Sequence, residues 1–224
     1  MEESGIIYSK NLGEDLFDFF FEALEELKDR EVIYVGLSGG RSFNEFYEKL
    51  VEYKDKIDLW SKITFCFVDE RIVPLDSDDS NYKLVNSVLF EELITSGLIT
   101  SNQIITLDYN AKDVALDYNL RVPRIDIALF GSGEDGHIAS LFPKHELLVS
   151  KEEKFLEIHD SPKPPQSRIT LSPSMIYSIE FSCIVFKGEG KKEAFEKFIN
   201  PLVDYTLCPA KLVLHSKKNR VFRN

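Results

Sequence analysis

The sequence predicts an α/β fold: a three-layer, mostly parallel, Rossmann-like sheet with helices on both faces. Two observations predict it. Short runs of large apolar residues alternate along the chain with amphipathic stretches at helical spacing, the pattern of β-α units. Several of those apolar runs also end in glycine-rich or charged segments, as buried strands do where they leave a sheet. A chain of 224 residues with 43% hydrophobic content buries one sizeable core, so one domain over residues 1–224 is expected.

Leu16, Phe17, Phe20, Leu24 and Leu27 recur at helical spacing among acids and predict a helix over 14–29. Val32–Leu37 reads as a buried strand running into Ser38-Gly39-Gly40-Arg41, and Ser42 with Glu45 forms a capping box for a helix through Tyr53. Ile63–Val68 is a second strand, ending in Asp69-Glu70-Arg71. A polar loop follows, then a helix from Asn81 to Leu93, a short strand from Gln103 to Leu107 and a helix from Ala111 to Leu120.

Asp126 to Pro143 is the stretch around which the chain is organised. It opens as a buried strand, carries three glycines within six positions, and delivers Asp135 and His137 at the turn. A helix starting at Gly136 would be stopped by Ser140 and Pro143 after about two turns. Lys144 to Glu157 reads as a short helix or loop with an edge strand, and Ser161-Pro-Lys-Pro-Pro165 as a stiff polyproline-like linker. In Arg168–Leu171, alternation puts Arg168 and Thr170 on one face. Ser172-Pro173 starts a helix, Phe181–Phe186 is a buried strand, and residues 191–199 form a helix. Pro209–Leu214 reads as the last strand, with Lys217 to Asn224 as a frayed basic tail.

The formal charge of −11 and pI near 4.9 argue against nucleic acid or an anionic membrane surface as partner. Cys66, Cys183 and Cys208 are odd in number and widely spaced, so they read as free thiols of a reducing compartment. Residues 1–5 lack a basic segment followed by an apolar one, and no apolar run reaches the roughly 18 residues of a membrane span. A cytoplasmic protein is expected, a monomer or weak homo-oligomer.

Charged and glycine-rich segments at 38–41, 69–71, 131–137 and 188–191 all follow strands, so they should converge on one edge of the sheet, where α/β proteins bind ligands. Ser38-Gly39-Gly40 is either a phosphate cradle of free backbone N–H groups or a plain β-α turn. Gly131-Ser-Gly-Glu-Asp-Gly136 matches the dinucleotide fingerprint, but Pro143 truncates the helix that motif requires and no strand-end acid follows about 20 residues on, so no nicotinamide or flavin is expected. No Cys/His/Asp set has metal-ligand spacing, and no Ser sits in a nucleophile elbow. His137 is placed as a general base, with Asp135 or Asp69 to fix its tautomer, while His145, His159 and His215 read as surface residues. Arg41, Arg71, Arg168 and Lys191 are the cations expected at the same edge, enough to hold a phosphate monoester.

Ser38-Gly-Gly, Asp69-Glu-Arg-Ile-Val-Pro74, Ser80-Asn-Tyr82, Gly131-x-Gly-Glu-Asp-Gly-His-x-Ala-Ser-Leu-Phe-Pro143, Pro164-Pro165 with Arg168-Ile-Thr170, and Gly188-x-x-Lys191 resemble the 6-phosphogluconolactonase family in order and spacing. The resemblance spans nearly the whole chain. It implies hydrolysis of 6-phosphoglucono-1,5-lactone to 6-phosphogluconate, with a sugar-phosphate substrate and no cofactor or metal. It also implies His137 activating a water, Arg71 on the oxyanion, and the phosphate held by Ser38, Gly39, Gly40, Arg168 and Lys191, with Arg41 a further candidate.

Two competing readings are a deaminase/isomerase of glucosamine 6-phosphate and a non-catalytic sugar-phosphate binding module. The deaminase relatives carry Phe-Asn-Glu-Pro after the histidine segment, where this chain has Ser140-Leu-Phe-Pro143 and no carboxylate. Arg41-Ser42 departs from the family's more usual Arg-Thr-Pro or Ser-Thr-Pro.

Overall fold

The computed structural model describes residues 5–224, so the terminal segment read above for a targeting signal lies, Gly5 apart, outside the described residues. In chain order the elements are β1 (Ile6–Tyr8), α1 (Leu12–Glu26), β2 (Ile33–Leu37), α2 (Asn44–Glu52), β3 (Ile63–Phe67), β4 (Asp69–Arg71), α3 (Asn81–Val85), α4 (Glu91–Thr95), α5 (Val114–Arg121), β5 (Ile127–Gly131), β6 (Phe155–Ile158), β7 (Arg168–Leu171), α6 (Pro173–Ser178), β8 (Phe181–Phe186), α7 (Lys192–Ile199) and β9 (Lys218–Arg223). A six-stranded parallel sheet has the order β1-β9-β8-β5-β2-β3. A small antiparallel sheet, β4-β7-β6, stands beside it. No helix among the described residues is long and apolar enough to cross a membrane.

Strand alternation builds the three layers directly. Ile33, Val35, Phe65, Ile127, Leu129, Cys183 and Val185 point to one apolar cluster, under α1 and α2. Their neighbours Cys66, Ala128, Phe130, Ile184 and Phe186 point to a second, under α5, α6 and α7. Both faces of the central strands are therefore covered, which is why those strands read as continuous apolar runs. All three cysteines are buried and free.

Several expectations are corrected. The Ser42–Glu45 capping box does not form: a 3-10 turn over Arg41–Phe43 leads into α2, and Glu45 instead meets Lys187 at 2.7 Å. The helix expected from Gly136 is absent, because Ala139 takes φ 47° and an isolated bridge joins Ile138 to Leu141. Gln103–Leu107 is no strand: it contributes a single bridge between Ile104 and Phe65. Pro209–His215 forms 3-10 turns, and the strand lies in the supposed tail, as β9 between β1 and β8. The helix expected from Asn81 to Leu93 is continuous through a π turn at Asn86–Phe90. Of the histidines expected at the surface, His145 is half-buried, bonded through Nε2 to Asp160 and through Nδ1 to the Leu147 amide.

Asp126 fixes the entry of β5. Its carboxylate accepts the Tyr34 amide at 2.8 Å, binds Arg124 Nε at 2.9 Å and meets Arg30. Asp126→Ala should lower the unfolding free energy by about 2 kcal/mol, because it unpairs the Tyr34 amide and removes the buried carboxylate that two guanidinium groups share. Urea denaturation measures this, and a loss below about 0.5 kcal/mol would show that these bonds give no net stability.

Candidate active site

The carboxyl ends of β2, β5 and β8 and the strand β4 open onto one cleft of about 700 Å³. Ser38, Gly39, Gly40 and Arg41 arrive from β2, Asp69 and Arg71 from β4, His137 from the loop after β5, Arg168 from β7, and Lys191 from the turn after β8. These are nine of the ten residues expected there. The tenth, Asp135, stands off the wall on the Nδ1 side of the His137 ring. Lys163 and Lys187 also line the cleft, so six cationic side chains face two carboxylates, Asp69 and Glu134. A locally positive hollow thus exists in a chain of net charge −11.

The His137–Asp135 pair is set by backbone. Asp135 Oδ1 lies 2.5 Å from Nδ1 and also accepts the His137 amide at 3.3 Å. With a carboxylate on that side, Nδ1 carries the proton and Nε2 keeps its lone pair. Burial alone would raise the Asp135 carboxyl, but the hydrogen bonds from the His137 ring and amide, with the attraction of the ring whenever it is protonated, outweigh it and hold the group well below the ordinary carboxylate range. Gly133 is required by contact rather than conformation, since a Cβ there would stand 2.0 Å from His137 Nδ1. Gly136 is required by both, with φ +91° and Cys208 Sγ 3.0 Å from its would-be Cβ.

Asp69 is bonded away from the histidine. Its carboxylate accepts Ser140 Oγ at 2.6 Å and Asn81 Nδ2 at 3.3 Å, and Asn81 Nδ2 also reaches the Asp69 carbonyl at 2.8 Å. Asn81 in turn packs on Gly39 so closely that a Cβ there would fall 1.8 Å from Oδ1. Ser140, fully buried, accepts from Arg168 Nη1 at 3.4 Å, and its amide donates to Thr170 Oγ1 at 3.1 Å. Arg168 and Thr170 do share a face, and that face is turned to the site.

Other expected ligands have partners that narrow their roles. Ser38 Oγ donates to the Leu129 carbonyl at 2.6 Å, so its hydroxyl proton is already committed within the fold. Arg71 Nη1 donates to the Asp79 carbonyl at 2.5 Å, while its Nε is buried without a partner. Arg41 is exposed at the rim. Burial holds the Lys191 ammonium below its ordinary value.

Glu70, between Asp69 and Arg71, braces the loop. Its two oxygens accept the amides of Arg71, Asn81 and Tyr82 and the Ser80 hydroxyl. Sequence reasoning missed Lys163, Lys187 and the functions of Asn81 and Ser140. The signals were present in Ser161-Pro-Lys, in Lys187 before Gly188, and in the Ser80-Asn-Tyr motif.

The chain matches the family model described as glucosamine-6-phosphate isomerases/6-phosphogluconolactonase over residues 9–222. It is 32% identical to the 6-phosphogluconolactonase of Borreliella burgdorferi over 90% of this chain and 86% of the other. It is 37% identical to the chloroplastic 6-phosphogluconolactonase 3 of Arabidopsis thaliana over 88% of this chain and 63% of that one. Its fold superposes on the crystal structure of 6-phosphogluconolactonase from Thermotoga maritima with a TM-score of 0.79, at 26% identity and 97% coverage of both chains.

Burial pushes the Glu70 carboxyl up from 4.5 to about 7, against the pull of the Asn81, Tyr82 and Arg71 amides. The folded state therefore holds this proton more tightly than the unfolded chain does. Its contribution to stability is full below about 4.5 and is lost as pH rises to about 7, a change of about 3 kcal/mol. Glu70→Gln should flatten that fall in urea melts taken between pH 4.5 and 8. Parallel wild-type and variant curves would remove Glu70 as its source.

Proposed function

We infer the chemistry from one premise: the chain belongs to the family of glucosamine-6-phosphate isomerases and 6-phosphogluconolactonases. Its activity is that of a lactonase, hydrolysing 6-phospho-D-glucono-1,5-lactone to 6-phospho-D-gluconate, the second step of the oxidative pentose phosphate pathway. The deaminase alternative is disfavoured by Ser140 and its neighbours, which offer no carboxylate where those relatives have one.

The observation that carries the mechanism is the Asp135–His137 pair facing a cation-rich cleft. His137 Nε2 takes a proton from a water, whose oxygen attacks C1 of the lactone. Asp135 keeps Nδ1 protonated and stabilises the imidazolium that forms. The carbonyl electron pair moves onto oxygen, where Arg71 offers its remaining donors, a contact typically worth about 3 kcal/mol. Collapse restores the carbonyl and breaks the bond from C1 to the ring oxygen. His137 returns its proton to that oxygen, and the new acid ionises. The reaction is redox-neutral and consumes only water.

The 6-phosphate lies against the Ser38–Gly40 amides, Arg41 and Lys191, with Arg168 as support through its one uncommitted Nη1–H. All the residues given roles here come from one chain, which supports one working domain over residues 1–224; a monomer or weak oligomer remains part of the proposal. Buried free thiols support a cytoplasmic setting.

His137→Ala should lower kcat by at least about a hundredfold. Gly133→Ala should do nearly the same with the fold intact, because its methyl group displaces the ring. Both are measured as lactone opening above the spontaneous rate near neutral pH. Near wild-type kcat in His137→Ala would remove the imidazole from the base role.

A further inference from the structure

The segment read from sequence as a stiff linker is a scaffold for a single side chain. Ser161 Oγ donates to the Lys163 carbonyl at 2.8 Å and accepts the Lys163 amide at 3.3 Å. Arg168 Nη2 donates to the same carbonyl at 2.9 Å and to that of Pro164 at 3.1 Å, and its Nε reaches the Pro165 carbonyl at 2.9 Å. Three of the five donors of an arginine only 3% exposed are thus spent on three successive carbonyls. Such a commitment fixes the backbone of a short loop and, with it, the direction in which Lys163 leaves the chain.

Lys163 lines the cleft, and among the described residues no acceptor or carboxylate meets its ammonium group. It shares that cleft with Lys191 and with His137, and its positive charge favours the Asp135 carboxylate and disfavours the Lys191 ammonium. Two ammonium groups facing one hollow repel each other until an anion separates them. A phosphate dianion satisfies both, whereas a developing carbonyl oxyanion carries one charge and has Arg71 beside it.

We propose that Lys163, held by Ser161 and Arg168, grips the 6-phosphate together with Lys191 and so sets the preference for a phosphorylated over an unphosphorylated lactone. The assignment rests on the lactonase reading of the cleft and names a ligand within it. Arg168 then acts mainly as a positioning residue, through the loop that carries Lys163.

The test compares wild type, Lys163→Met and Lys163→Arg on 6-phosphoglucono-1,5-lactone and on D-glucono-1,5-lactone, each rate corrected for spontaneous hydrolysis. In Lys163→Met the ratio of the two kcat/KM values should fall by at least about tenfold, through KM, and Lys163→Arg should recover most of it. Calorimetry with 6-phosphogluconate should show an affinity about tenfold weaker in Lys163→Met, with gluconate as the control. Equal losses on both lactones, a loss confined to kcat, or an unchanged ratio would each overturn the assignment. Because calorimetry is independent of turnover, Lys163-dependent binding of 6-phosphogluconate in a chain that opens no lactone would leave the assignment standing and overturn the hydrolase reading.

Discussion

The Ser140 hydroxyl donating to the Asp69 carboxylate at 2.6 Å is the contact on which the cleft depends. Asp69 is 6% exposed, and a buried carboxylate must be fully bonded or it destabilises the fold. Its remaining partner, Asn81, seats against Gly39 at the turn after β2, while Ser140 accepts from Arg168, whose other donors hold the loop that carries Lys163. One chain of buried polar contacts therefore runs from the β2 turn to the far wall. Each loop alone is short and polar; joined through Asp69 and Ser140, they are held in one arrangement before any substrate arrives.

The central layer was legible because its strands are buried on both faces. Ile33–Leu37, Ile63–Phe67, Ile127–Phe130 and Phe181–Phe186 are apolar runs that no surface strand would carry, and each appears within a residue or two of its expected place. The peripheral strands gave no such signal. Lys218-Asn219-Arg220 looks like a solvated tail, yet its backbone pairs with β8, Val221–Arg223 pair with both β1 and β8, and ladder bonds do not depend on side-chain identity. Pro209–Leu214 misled in the opposite direction: apolar and β-branched residues suited a strand, but Pro209 opens tight turns whose buried face, Ala210, Leu212 and Val213, closes the second cluster.

The site was legible where chemistry and geometry coincide in a short stretch. Asp135 and His137 are two residues apart, and the glycines around them show that something approaches closely. The structure identifies it as the imidazole itself. What could not be read were pairings across space. Asp69 and Ser140 are 71 residues apart, and a lone strand-end acid gives no indication that its partner is a serine hydroxyl rather than a histidine. Lys163 was hidden for another reason: prolines dominate its segment, and stiffness there reads as spacing until the Arg168 contacts reveal what the stiffness aims.

Charge placement explains how so acidic a chain makes a hollow for an anion. Most basic side chains on the outer surface are paired, as Lys54 is with Glu92, Lys83 with Asp78, Lys217 with Glu180 and Arg220 with Glu22. Among the described residues, only Lys187 of the six cleft cations has a carboxylate within ion-pair distance. Surface pairs of this kind contribute little stability, but each neutralises a cation that would otherwise attract anions elsewhere. Inside the cleft, low-dielectric walls let a few unpaired cations act strongly at short range although the chain as a whole is negative. The positive character of the cleft thus follows from gathering basic residues without carboxylate partners on one wall, where Arg168 and the loop that carries Lys163 are tied to Asp69 through Ser140.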